Sequence, residues 1–120
     1  MIYKDGANIG RSTMFGKGYP HKECTINEHV HLIRTNQITQ KYLYFNLSTK
    51  KMQQELISLN TASAQPGINQ TQLKTLKILK PDKKVLKRFD EFIRLIFKYF
   101  DQFLSVLNNS FSITPRKGGN

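Results

Sequence analysis

The chain has 120 residues, a one-domain length, and its 19 lysines and arginines against 8 carboxylates give it a net charge of +11. That excess points to a polyanionic partner, because phosphates neutralised by cationic side chains release condensed counterions; an apolar content of 38% argues against a disordered chain. One cysteine, Cys24, excludes an intrachain disulfide and a four-thiolate zinc site, and no run of roughly 18 apolar residues is present to cross a bilayer.

The N-terminus turns polar within four positions, unlike a secretory leader, so a cytoplasmic location is expected. Ile2 to Lys4 form a short apolar start closed by the turn pair Asp5-Gly6. Arg11 to Phe15 are compatible with a strand, Gly16 to Pro20 with a loop, and Cys24 to Ile26 and Val30 to Ile33 with two further strands. The glycines at 6, 10, 16 and 18 lack the spacing of a phosphate-binding loop and read as turns.

Residues 40–59 turn helical. Tyr42, Leu43, Phe45 and Leu47 suit one short helix, and Ser48 is placed to cap a second that carries Met52, Leu56 and Leu59 on one side. After a small-residue loop over 61–67, Asn69 and Gln72 stand at the spacing of a capping box. Leu73 and Leu76 supply the buried face of that turn, and Leu76 to Leu79 return to extended chain before Pro81.

From Asp82 to about Asn108 the pattern changes. Leu86, Phe89, Ile93, Ile96, Phe100, Phe103 and Leu107 recur at alternating spacings of three and four, a heptad seam that drives two helices together. Asp82 is the expected N-cap of a helix roughly 40 Å long. With Phe92, Phe97, Tyr99 and Leu104 beside the seam, the helix has more apolar surface than its own domain is expected to cover, so a partner helix is anticipated. The expected class is therefore α+β: a small unit of short strands and helices over 1–80, a long helix over 81–109, and a frayed tail over 110–120.

Candidate chemistry is sparse. His21, Cys24, Glu28, His29 and His31 are the sole cluster with metal-ligating side chains, and a zinc site there would need tetrahedral geometry and a fourth ligand. Hydrogen bonding across a sheet or contact with phosphate is the expected role of these histidines. Nothing marks Cys24 as an activated nucleophile, and no catalytic residue, metal or cofactor is assigned. For nucleic-acid contact, the loop of Lys17, Tyr19, His21 and Lys22 ranks first, Arg11 and Arg34 second, and Lys50 with Lys51 third: the cations for phosphates, Tyr19 and His21 for closer contact.

Three segments in order resemble a known family. Lys4-Asp-Gly-Ala-Asn-Ile-Gly-Arg11, Cys24-Thr-Ile-Asn-Glu-His-Val-His31 with Arg34, and Gln65-Pro-Gly-Ile-Asn-Gln-Thr-Gln-Leu-Lys-Thr-Leu-Lys-Ile78 with Pro81 resemble the specificity subunits of type I restriction-modification systems. The match covers about residues 1–108 and corresponds to the later part of a target recognition domain and one long helix. The resemblance implies a non-catalytic subunit that reads one half of a split site in double-stranded DNA. Its helix would pair with a second such helix, from another copy or another specificity subunit, and it would direct methyltransferase and endonuclease subunits to the site. Family positions Gln65, Asn69 and Gln70 fall in the third segment. The family pattern of a second proline and a Glu-Gln pair is replaced here by Pro81-Asp-Lys-Lys-Val85. An alternative reading is a helix-pairing or anti-restriction remnant that binds an intact specificity subunit without binding DNA.

Overall fold

The computed structural model describes residues 1–16, 21–60 and 66–110. At its centre is the segment β1 (Ile2–Tyr3), which pairs antiparallel with β2 (Val30–His31) so that Ile2 faces His31 and Tyr3 faces Val30. On its other edge β1 meets residues 11–13: Tyr3 N–H donates to the Arg11 carbonyl at 3.0 Å, Thr13 N–H to the Met1 carbonyl at 2.9 Å, and Ser12 bridges Ile2. The expected strand over 11–15 is thus a single bridge. Cys24 to Ile26 form no strand: they are exposed and have no ladder partner. A turn follows, in which Asn27 accepts from the His29 and Val30 amides.

Two helices cover the inner face. The first, α1 (Gln40–Leu47), starts at Thr39, whose hydroxyl accepts from the Tyr42 amide; the second, α2 (Lys50–Leu59), starts at Thr49, whose hydroxyl accepts from the Met52 amide. Thr49, not Ser48, is therefore the cap. Ser48 has helical φ/ψ of −84° and −8° and its hydroxyl turns back to the Tyr44 carbonyl, whereas Thr49 has the extended backbone an N-cap requires. Ile2, Leu43, Leu47, Met52, Leu56 and Ile68 form the core, with Leu73, Leu76 and Ile78 packed at its margin. Gly10 closes the β1 loop at φ +78°, and a Cβ there would stand 3.3 Å from the Leu56 Cβ, so the position needs both the glycine backbone and its lack of a side chain.

The third segment docks on this core. Ile68 is 1% exposed, its amide donates to the Lys4 carbonyl at 2.7 Å, and Gly67 N–H donates to Asn60 Oδ1. Asn69 and Gln72 complete the capping box of α3 (Gln70–Leu73). Leu76 to Leu79 do not join a sheet; the Leu79 carbonyl accepts instead from the Tyr42 hydroxyl.

One unbroken helix, α4 (Lys83–Ser110), completes the α+β architecture. Asp82 caps it, accepting from the Val85 amide at 2.8 Å. Its first turns lie on α1, where Leu86 and Ile93 are buried and Phe89 meets the ring edges of Tyr42 and Phe45 at 5.3 and 5.9 Å. The helix continues to Ser110, past the expected boundary, and the rest of the expected tail lies outside the described residues. No described helix is long and apolar enough to cross a membrane.

Candidate nucleic-acid interface

The cationic residues singled out by sequence fall at three places. Arg11 is exposed immediately after the Gly10 turn. Gln53 of α2 donates to the Gly10 carbonyl at 3.0 Å and to the Leu47 carbonyl, holding the Arg11 backbone beside the first turn of α2. Lys50 and Lys51, both exposed, open that turn. Of the second-ranked pair, Arg11 is thus brought toward the third-ranked Lys50 and Lys51, a proximity that a separation of some forty residues conceals in the sequence.

Arg34 lies just beyond β2, exposed, on the wall between two clefts of about 320 and 690 Å³ that share Leu32, Ile33, Arg34 and Leu43. The larger also takes in Lys74 and Gln70, with Ile26 and Leu32 half exposed along it. His21 and Lys22 are exposed. Lys17 and Tyr19, the remainder of the first-ranked loop, lie outside the described residues, as does Gln65.

The histidines are engaged locally. His29 donates from Nδ1 to Asp5 Oδ1 at 2.8 Å, and His31 donates from Nε2 to the Ile68 carbonyl at 2.6 Å. Each clamps a different loop to the β1–β2 sheet: the Asp5 turn in one case, the Ile68 segment in the other. Cys24 is an exposed free thiol, and among the described residues no group of three His, Cys, Asp or Glu side chains is placed to hold a metal ion. Asn69 serves as a cap, so its place in the third segment has a structural explanation; Gln70 beside it is exposed.

Among the described residues no lysine or arginine forms an ion pair; the two pairs present both involve His29. The positive charge is therefore presented to solvent, where it can meet phosphate oxygens without first breaking internal contacts. Nor is it evenly spread. Residues 74–88 hold seven cations and one carboxylate, net +6 of the chain's +11, and all seven cations are exposed. Counting charge in a sliding window along the chain is the signal that finds this segment.

The sequence model of one protein family, described as the type I restriction modification DNA specificity domain, matches residues 1–110. No curated protein and no solved structure matches the chain.

Proposed function

The chain belongs to the type I restriction modification DNA specificity domain family, and from that membership we propose that it binds double-stranded DNA, reads one half of a split site, and performs no chemistry itself. The family match over residues 1–110 carries the reading. The unpaired surface charge of the described residues supports it: Arg11, Lys50 and Lys51, Arg34 on its cleft wall and Lys22 are all exposed, and the proposed reading head joins them to Lys17, Tyr19 and His21. Cations there hold phosphates, while Arg34, Tyr19 and His21 are the side chains suited to base edges.

In this reading α4 is the assembly element. Beyond Ile93 its seam residues Ile96, Phe100 and Phe103 are 46%, 54% and 58% exposed, so no part of the described chain covers that stripe. A second helix of the same kind, from another copy or another specificity subunit, fits the heptad spacing. Methyltransferase and endonuclease subunits would then be directed to the bound site. The exposed stripe also favours a second reading, a helix-pairing remnant that captures an intact specificity subunit without contacting DNA.

Selection from a pool of random duplexes separates the two. The first reading expects enrichment of one short motif, and affinity for that motif falling about a thousandfold or more between about 50 and about 200 mM salt. Binding without enrichment of any motif would overturn the specificity role, and absence of binding would leave the second reading standing.

A further inference from the structure

We propose that residues 74–88 form a second DNA-contacting element, a track that grips the phosphate backbone without reading bases; this rests on the DNA-binding reading above. The track runs from the end of α3 into the first turns of α4; its first cation, Lys74, shares a cleft with Arg34, and the other six are not among the residues lining that cleft.

The charges of the track are placed against local physics. Lys83, Lys84, Lys87 and Arg88 occupy the first two turns of α4, whose first turn contains no acidic residue. A helix N-terminus is the positive end of the macrodipole and disfavours cations. Lys83 with Lys87, and Lys84 with Arg88, are moreover like charges four residues apart, which repel on a helix surface. The carboxylate of this stretch, Asp82, is occupied in capping the Val85 amide. An arrangement that folding alone disfavours in these two ways is relieved when a polyanion lies along it.

A neighbouring element extends the same field. Lys41 of α1 and Lys83, Lys87 and Arg94 of α4 line one open cleft of about 430 Å³ together with Asp90 and Glu91. Four cations against two carboxylates leave that cleft net positive. The kind of partner follows from the residue types. Six of the seven cations are lysines, which are depleted at protein–protein interfaces but act as point charges for phosphate. No oppositely charged group is interleaved except Asp82, and uninterrupted charge of one sign is what counterion release rewards.

The test uses the full chain, a random-sequence duplex of about 30 base pairs, and affinity measured across a salt series. Replacing Lys80, Lys83, Lys84 and Lys87 with Gln is expected to flatten the slope of log affinity against log salt by about 3 to 4, at ~0.9 for each phosphate no longer neutralised. It should also lower low-salt affinity at least a hundredfold. K83E/K84E supplies a readout that a purely structural role would not give: its melting temperature should rise, because the dipole and the like-charge pairs are relieved, while DNA affinity falls. If the wild type binds with a steep salt slope and the four-Gln variant keeps that slope, the track is wrong and the DNA reading stands. If the wild type shows no salt-sensitive binding, the DNA reading falls and takes the track with it. If polyglutamate binds the wild type as tightly as the duplex, and the four-Gln variant loses both, the segment serves an acidic protein and the proposal is overturned.

Discussion

The two halves of α4 carry the same heptad spacing and live in different surroundings. In the first, Leu86 and Ile93 are buried against α1 and Phe89 sits among the edges of Tyr42 and Phe45. In the second, Ile96, Phe100 and Phe103 keep about half their surface in contact with solvent. The spacing determines which side of the helix is apolar, and whether that side is covered depends on how far α1 reaches. Its eight residues span roughly 12 Å at about 1.5 Å per residue, against roughly 42 Å for the 28 of α4. Periodicity thus reports a demand for burial and is silent about what meets it.

The largest effect that sharpens this contrast is expected from Ile93→Ala. Removing a buried aliphatic side chain leaves a cavity between α1 and α4 and should cost about 2–5 kcal/mol in urea unfolding. Ile96→Ala, three residues along the same seam, starts from 46% exposure and should cost less than about 1 kcal/mol in the monomer. Equal losses at the two positions would mean that the seam is covered along its whole length, and the comparison would break.

A middle-sized effect tests how the covered half is anchored. Thr39 Oγ1 accepts from the Tyr42 amide and donates to Asp90 Oδ1 at 2.9 Å, joining the start of α1 to α4 across 51 residues. Thr39→Ala should lower stability by about 1–2 kcal/mol, the cap and the charged hydrogen bond together. Thr39→Ser should recover most of it. In a double-mutant cycle with Asp90→Ala, a coupling of about 1 kcal/mol is expected; additive losses would show that the cap alone matters.

The Thr39–Asp90 bond also marks the limit of what the sequence discloses. Interactions closed within one turn are legible: the Asn69–Gln72 capping box and the Asp82 cap form as expected, because their geometry depends on spacing alone. Ser48 and Thr49 can both cap, and only their backbone angles separate them, so residue type alone selects the wrong one. Cys24 to Ile26 alternate like a strand yet form none, because no neighbouring segment supplies a ladder. The meeting of Arg11 with the start of α2 depends on Gln53 reaching the Gly10 carbonyl, a tertiary bond with no local trace. The cluster of charge over 74–88 can be counted without a structure, whereas its exposure and its lack of ion pairs cannot.

The smallest effect on folding is expected in the uncovered half. Glu at both Ile96 and Phe100 places charges where side chains are already half solvated, so the monomer's urea midpoint should move by the equivalent of about 0.5 kcal/mol at most. Assembly should respond quite differently. In a helix pair both positions lie in the seam, and two carboxylates per chain would be buried against apolar neighbours and against each other. Light scattering on the wild type should therefore give a mass above that of one chain at tens of micromolar, and the double variant should run as a monomer with an unchanged far-ultraviolet helix signal. The opposite result is equally readable. If the double variant unfolds, the stripe is covered within its own chain. If it folds and its mass equals that of the wild type, the exposed half of α4 does not pair through this face, and the proposed assembly element would lose its basis while the covered half kept its role in the fold.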